Sequence, residues 1–281
     1  MRTITSVAEM IAVAEAARGA GRMVGLVPTM GFLHVGHVSL MTRLRAEVDV
    51  LITSIFVNPL QFGPTEDLGR YPRDPEGDAR KCADAGVDLL FIPDPFYPES
   101  FSTSVAVADL TERLCGASRP THFGGVTTVV ARLFGVTRCD AACFGEKDFQ
   151  QLMVIRRMVR DLALPVRIVP GPLVRDDDGV ALSSRNAYLS ADQRRRGRSL
   201  HQALFAVRDA VAAGERRRDV LLALAARTID CDRVDYVDLV DAETLLPVDV
   251  VEGPSRVLGA AYYGATRLID NVAVGPELTW T

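Results

Sequence analysis

The segment 48–57 (VDVLITSIFV) is almost continuously apolar and rich in β-branched residues. A run of this kind is typical of a strand in the middle of a parallel sheet that helices cover on both faces. Further strands are predicted at 23–27, 87–92, 140–144 and 166–169. Between them, segments such as 126–134 and 149–162 repeat apolar residues at the spacing of helices packed on a sheet. The alternation predicts βαβ units and an α/β fold with a doubly wound parallel sheet.

The pattern changes near residue 173, and the rest of the chain predicts a smaller domain. Ser190 followed by Gln193 forms a capping box, which predicts the start of a helix. Antiparallel strands are predicted at 234–240 and 257–274. We therefore expect a first domain at residues 1–173 and an α+β lid domain at residues 174–281.

Composition and charge exclude several classes of function. The formal net charge is −4, whereas a general nucleic-acid surface is usually basic. No apolar stretch is long enough to span a bilayer, and the N-terminus lacks the apolar region of a signal peptide. The five cysteines are scattered without a pairing pattern, which is typical of a reducing compartment. We therefore expect a cytoplasmic protein that binds neither nucleic acid nor membranes.

Two histidines follow the first apolar strand of this pattern, after a Pro-Thr-Met-Gly turn. His34 and His37 are three residues apart, so both imidazoles lie on one face of the first turn of a helix. A helix start presents unpaired backbone N–H groups that attract anions, and each imidazole can donate a hydrogen bond to a phosphate oxygen. The spacing predicts a nucleotide triphosphate across this helix start, poised for attack at its α-phosphorus.

Zinc binding and simple packing are the alternative interpretations of this histidine pair. Zinc needs a third ligand, but His122 and His201 come with no cluster of Cys or His. Gly36, between the paired histidines, is unfavourable in a packed helix but allows a ligand to approach the backbone closely. The pattern therefore favours anion binding.

Two further polar segments suit a polyphosphate. Residues 145–148 (GEKD) stand between a predicted strand and a helix, where Lys147 offers a mobile cation and Asp148 can accept hydrogen bonds from ribose or cap the helix. In the expected lid, residues 183–185 (SSR) offer two hydroxyls and a guanidinium to phosphates. A plain polar turn is the alternative for this second segment.

Gln61 and Gln151 are candidates for binding an organic acid. Gln61 follows the buried strand 48–57, and Gln151 lies in the first turns of the helix after residues 145–148. Exposed surface glutamines are the alternative interpretation of both. A neutral amide can hold a nucleophilic carboxylate without drawing charge from the attacking oxygen as an arginine does.

Seven ordered motifs together resemble the pantoate–β-alanine ligase family of the HIGH-motif nucleotidyltransferase superfamily. They are VPTMGFLHVGH, FVNPLQF, YPRD, SRPTHFGGV, FGEKDFQQL, VRDDDGVALSSRN and TRLIDN, between about Met23 and Val272. The resemblance implies a Rossmann-like N-terminal domain, a C-terminal lid and a homodimer. It also implies that (R)-pantoate attacks the α-phosphorus of Mg-ATP, giving pantoyl adenylate and pyrophosphate. β-Alanine would then displace AMP to form pantothenate.

The resemblance also implies roles for individual residues. Pantoate would lie between Gln61 and Gln151, with β-alanine near Gln61, and Asp78 is the expected protein ligand of Mg²⁺. His37 would be the proton donor among the catalytic residues, which would be His34, His37, Lys147, Ser183, Ser184 and Arg185. The ATP contacts would be Met30, Gly31, Phe32, Leu33, His34, Val35, Gly36, His37, Gly145, Glu146, Lys147, Asp148, Val174, Leu182, Ser183, Ser184 and Arg185.

Three other functions fit parts of the pattern. Another adenylyltransferase of the superfamily would transfer AMP to a phosphate substrate, and it predicts a basic pocket for that phosphate. A tRNA synthetase fits less well, because the chain is short and acidic and shows no anticodon-binding module. A catalytically silent module that binds ATP or AMP would not need His34, His37, Lys147 and Arg185, all of which are present.

Overall fold

The computed structural model describes residues 1–64 and 66–280. Its larger sheet has six parallel strands in the order β1-β4-β3-β2-β5-β6. The strands are β1 (Arg2–Ile4), β2 (Val24–Thr29), β3 (Val50–Ile55), β4 (Leu89–Phe91), β5 (Ala141–Gly145) and β6 (Arg167–Gly171). Along the chain, β3 and β4 are added on one side of β2, whereas β5 and β6 are added on its other side. This confirms the predicted doubly wound sheet.

Helices follow the strands of this sheet. They are α1 (Val7–Gly19), α2 (Val35–Arg45), α3 (Pro75–Asp84), α5 (His122–Thr137) and α6 (Phe149–Asp161), with a four-residue helix α4 (Cys115–Ser118) before α5. Local chemistry sets several starts: Asp74 caps α3 by accepting a hydrogen bond from Gly77 N, and Pro75 occupies the first helical position. None of the helices in the described ranges is long and apolar enough to cross a membrane.

Helix α2 is held on the sheet by an apolar stripe. Leu40, Met41 and Leu44 are buried and belong to a core cluster with Leu51 of β3 and Leu90 of β4. Burying a side chain of this size contributes about 1.5–3 kcal/mol. The stripe therefore fixes the helix, and with it the position of its first turn, at the carboxyl end of β2.

The smaller sheet is antiparallel and has the order β7-β8-β9. Its strands are β7 (Arg233–Asp241), β8 (Ser255–Tyr263) and β9 (Thr266–Val274), and it packs against α7 (Ala191–Ala212) and α8 (Arg218–Thr228). The predicted capping box is present, because Gln193 N donates to Ser190 Oγ and Ser190 N donates to Gln193 Oε1. This confirms the predicted α+β unit.

The chain divides into two compact units whose limits differ from the predicted division in two short segments and at Leu173. The first unit comprises 1–112, 119–146 and 151–172, and the second comprises Arg113–Ser118, Lys147–Gln150 and Leu173–Thr281. The two short segments bind each other, since Gln150 Oε1 accepts from Cys115 N at 2.9 Å and Gln150 Nε2 donates to Arg113 O at 2.8 Å. Both segments also bind strands of the second unit, since Ser118 Oγ donates to Asp235 Oδ2 at 2.8 Å and Asn271 Nδ2 donates to Lys147 O at 3.0 Å. No local sequence pattern encodes these long-range contacts.

Candidate active site

Three neighbouring strands end at the same edge of the larger sheet. β2 is followed by the loop 30–34, β3 by the segment 56–61, and β5 by Glu146. The switch point of the sheet lies between β2 and β5, where strands added on either side leave a crevice. Ligands of open α/β sheets bind at such points. The loops predicted to carry chemistry in the first unit therefore share one edge.

The loop after β2 is tightly folded. Gly31 and Phe32 both have positive φ, +83° and +50°, and a Cβ on Gly31 would be only 3.0 Å from Ile55 Cγ2. Asp78 of α3 holds this loop, because Oδ2 accepts a hydrogen bond from Phe32 N at 2.8 Å and Oδ1 accepts one from Leu33 N at 2.7 Å. The loop is thereby turned directly into α2.

Asp78 therefore has a structural role in this loop, and its expected role as a metal ligand stays a prediction. Its side chain is only 2% exposed, and each carboxylate oxygen already accepts a backbone hydrogen bond. A buried carboxylate needs such partners, and the loop supplies them. Within residues 1–64 and 66–280, no group of three His, Cys, Asp or Glu could hold a metal ion.

Replacing Asp78 by asparagine tests this role. Asparagine retains one acceptor oxygen for two backbone donors, so one N–H of the loop is left facing an NH₂ group. We expect a loss of roughly 1–3 kcal/mol in the free energy of unfolding, measured with urea, and weaker ATP binding. The Mg²⁺ concentration required at saturating ATP should stay unchanged. A selective rise in that requirement would show that Asp78 also binds the metal.

The two histidines lie side by side at the start of α2. Their ring centroids are 4.1 Å apart, and both side chains are half-buried. His37 Nδ1 accepts a hydrogen bond from His34 N at 3.2 Å. Since Nδ1 is an acceptor here, the proton of neutral His37 is on Nε2, which becomes a donor. The geometry supplies a directed N–H donor beside the first N–H groups of a helix.

Gln61 is buried, so the exposed-surface alternative is wrong for this residue. Its side-chain amide accepts a hydrogen bond from Asn58 Nδ2 at 3.0 Å and approaches Met30 Sδ at 3.2 Å through Nε2. Asn58 Nδ2 also donates to Gly125 O at 3.0 Å, and Tyr97 OH donates to Asn58 Oδ1 at 2.9 Å. The amide of Gln61 is therefore oriented by its neighbours.

Asn58 was not among the predicted site residues. It caps the short 3₁₀ helix Pro59–Gln61, with its Oδ1 accepting a hydrogen bond from Leu60 N at 3.3 Å. The Asn-Pro pair directly after a buried strand could have indicated this cap. Its contact with Gly125, 67 residues later, is a tertiary feature.

The backbone carbonyl of Gln61 is held from the start of α5. It lies 2.9 Å from His122 Nδ1 and accepts a hydrogen bond from Arg119 Nη2 at 3.3 Å. Arg119 also forms a two-point ion pair with Glu66, at 2.6 and 2.7 Å. Partial burial alone would raise the pKa of Glu66, but the hydrogen bonds and charge of Arg119 lower it to about 2. Glu66 therefore remains ionised and keeps Arg119 in place.

The remaining predicted residues of the first unit lie at the end of β5, in the turn after it and in α6. Gln151 is the third residue of α6 and is half-buried. Gly145 ends β5 and pairs with Gly171 of β6, and Glu146 begins a 3₁₀ turn.

The second unit carries Lys147 and the segment 182–185. The side chain of Lys147 is 21% exposed, and its Nζ lies 3.6 Å from Asp148 Oδ2. Leu182 N donates to Val174 O at 3.1 Å, which brings these two predicted residues together. Ser183 Oγ then caps the 3₁₀ helix Ser184–Tyr188 by accepting a hydrogen bond from Arg185 N at 3.3 Å. The serine-rich segment is thus a capped turn rather than an irregular loop.

Known proteins match this chain along nearly all of its length. A family model described as pantoate-beta-alanine ligase matches residues 2–273. A pantothenate synthetase of Moorella thermoacetica is 50% identical over 279 residues, which cover 98% of each chain.

Solved structures agree with this match. A pantothenate synthetase of Thermus thermophilus is 48% identical with a TM-score of 0.92, covering 98% of this chain and all of that one. A pantoate-beta-alanine ligase of Francisella tularensis, solved with beta-gamma ATP and beta-alanine, is 30% identical with a TM-score of 0.81 and 97% of each chain covered. The chain belongs to the pantoate–β-alanine ligase family.

Proposed function

We propose that this ligase joins (R)-pantoate to β-alanine in two steps, through a pantoyl adenylate formed at the carboxyl edge of the parallel sheet. One observation carries the proposal: the buried, oriented amide of Gln61 on the β3 side contacts Met30 of the loop that enters the paired-histidine helix start. A neutral amide suited to a carboxylate thus stands next to a helix start suited to a phosphate.

In the first step, ATP would bind along the loop 30–37. The helix start offers backbone N–H groups, and His37 Nε2 offers a hydrogen to a phosphate oxygen. The second unit would supply Lys147, Ser183, Ser184 and Arg185, whose charge and hydroxyls stabilise the departing pyrophosphate. The other proposed ATP contacts are Gly145, Glu146, Asp148, Val174 and Leu182.

Pantoate would be held by amides rather than by a cation. Gln61 and Gln151 would orient its carboxylate, and one carboxylate oxygen forms a bond to the α-phosphorus as the bond to pyrophosphate breaks. In the second step, the β-alanine amine attacks the activated carbonyl carbon. The new C–N bond replaces the bond to AMP, and the amine loses a proton. Correct placement of the reactants contributes much of the rate in such reactions.

Mg²⁺ enters this proposal as part of the MgATP substrate. Magnesium usually keeps several waters and binds through one or two carboxylates together with substrate phosphates. The phosphates would therefore hold most of the metal. A homodimer and a cytoplasmic location, expected from the family resemblance and the unpaired cysteine pattern, complete the proposal.

Isotope exchange between pyrophosphate and ATP tests the proposed function. Exchange that requires pantoate supports adenylation of pantoate. Exchange that requires a phosphate substrate instead would favour another adenylyltransferase. Absence of exchange with every small acid tested would favour a silent nucleotide-binding module.

Replacing Gln151 by alanine tests the acid site. Loss of one amide donor to the carboxylate should raise the half-saturating pantoate concentration by roughly tenfold, with a smaller effect on ATP. The measurement is the pantoate dependence of exchange at saturating ATP. Gln202, an exposed glutamine of α7, provides the matched control. Equal pantoate dependence in Gln151→Ala and Gln202→Ala would show that Gln151 does not bind pantoate.

A further inference from the structure

The motif TRLIDN has no part in the proposed mechanism, although it lies in the core of the second unit. Its last two residues, Asp270 and Asn271, are on β9, paired with Gly259 and Leu258 of β8. Both are only 4% exposed. Buried polar side chains are retained with hydrogen-bond partners, and the partners of these two point to a role.

Asn271 binds the segment that contains Lys147. Its Nδ2 donates a hydrogen bond to the Lys147 backbone oxygen at 3.0 Å, and its Oδ1 accepts one from Arg256 Nη1 at 2.7 Å. The guanidinium carbon of Arg256 lies 3.8 Å from the centre of the Phe149 ring. Strand β9 therefore holds the segment Lys147–Gln150 directly at Lys147 and, through Arg256, at Phe149.

Asp270 binds the hairpin 175–181, which leads into residues 183–185. Its two oxygens accept hydrogen bonds from Arg175 at 2.7 and 2.8 Å. Arg175 also donates to Gly179 O at 3.0 Å, and its backbone pairs with Ala181 in an antiparallel bridge. Because the hairpin ends next to Ser183, its position sets where the capped turn begins.

We propose that Asp270 and Asn271 are positioning residues that align Lys147 with the turn 183–185. Adjacent Cα atoms are 3.8 Å apart along a strand, so the two segments are tied to one rigid piece of backbone. Precise placement of catalytic groups depends on such supporting contacts. This inference rests on the proposed function, in which both segments stabilise the leaving pyrophosphate.

The chemistry of Asn271 makes the proposal testable with a substitution of nearly equal size. The amide donates to one partner and accepts from another at the same time, and an ionised carboxylate can only accept. In Asn271→Asp the contact with Arg256 is kept, but the hydrogen-bond donor to the Lys147 carbonyl is lost. A carboxylate oxygen of residue 271 then faces the Lys147 carbonyl oxygen. The Lys147 segment is then expected to shift.

We expect Asn271→Asp to lower kcat of pantoate-dependent exchange by roughly tenfold or more, with the half-saturating pantoate concentration changed by less than about twofold. Asp270→Asn, which weakens the Arg175 pair, should act in the same direction. Asp238→Asn is the matched control. Asp238 lies on β7 of the same sheet, two strands from Asn271, and its carboxylate pairs with Arg218 rather than with the Lys147 segment or the hairpin. Its exchange rate should stay at the wild-type value.

The thermal midpoint of each variant separates positioning from stability. If Asp270→Asn and Asp238→Asn lower the midpoint but only the former lowers kcat, positioning is supported. If Asn271→Asp and Asp270→Asn are folded and exchange at the wild-type rate, the inference is wrong.

If neither variant folds, Arg175→Lys tests the proposal instead, since lysine retains the positive charge but not the two-point contact with Asp270. A lowered kcat supports the proposal, and an unchanged kcat overturns it. Failure of the wild-type protein to exchange with pantoate would instead reject the proposed function itself.

Discussion

Replacing His37 or Lys147 by alanine is expected to lower the adenylation rate by roughly 100-fold or more, as for the loss of a transition-state hydrogen-bond donor. His37 is held by the backbone N–H of His34 so that its Nε2 carries the proton. Lys147 supplies a positive charge from a largely buried side chain, 21% exposed. Both groups act on charge that develops as pyrophosphate leaves, so kcat should fall more than ATP affinity. Single-turnover release of pyrophosphate measures this directly.

The other lysine of the chain, Lys81, is a matched control for Lys147. Lys81 lies on α3, is more exposed, and is 3.7 Å from Asp74. Lys81→Ala should release pyrophosphate at the wild-type rate. Normal release by both His37→Ala and Lys147→Ala would show that the proposed catalytic roles are wrong.

A methyl group at Gly125 is expected to disrupt the acid site. A Cβ there would be 2.2 Å from Leu60 O and 2.5 Å from Gln61 N, which are backbone atoms that cannot rotate away. Either α5 or the short helix that contains Gln61 must move. We expect Gly125→Ala to raise the half-saturating pantoate concentration by more than roughly tenfold and to cost about 1–3 kcal/mol of stability. Exchange kinetics and urea unfolding measure the two effects.

The neighbouring glycine separates this clash from a general effect of alanine in the helix. A Cβ on Gly124 would meet nothing within 4 Å. Because alanine favours helix over glycine, Gly124→Ala should raise stability by up to about 1 kcal/mol and leave pantoate use unchanged. If Gly125→Ala behaved like Gly124→Ala, the close packing of α5 on the Gln61 segment would be absent in solution.

The alternation of strands and helices was predictable because its signals are local. The strand at 50–55 lies within the apolar run 48–57, and α3 begins where Asp74 and Pro75 indicate a start. The capping box at Ser190 and Gln193 is equally local. Hydrophobic periodicity, helix caps and turn residues each depend on a few neighbouring positions. A single sequence is therefore enough to predict the elements that they form.

The candidate site was predictable only in part. The histidine spacing at His34 and His37 places both rings on one face of a helix turn, and the structure has them 4.1 Å apart. The family resemblance implies that Asp78 is a metal ligand, but it does not indicate that Asp78 holds the loop after β2. Its hydrogen bonds to Phe32 and Leu33 span more than 40 residues and become visible only after folding.

By itself, the sequence determined which residues are candidates for the proposed chemistry and which local element each one lies on, since residue type and periodicity are properties of the chain. The tertiary structure alone decided how these residues are held. Gln61 is oriented by Asn58, while Lys147 is anchored by Asn271 at a separation of 124 residues. A buried polar group must find a partner wherever the packed chain offers one, and that choice depends on the whole fold rather than on neighbouring residues.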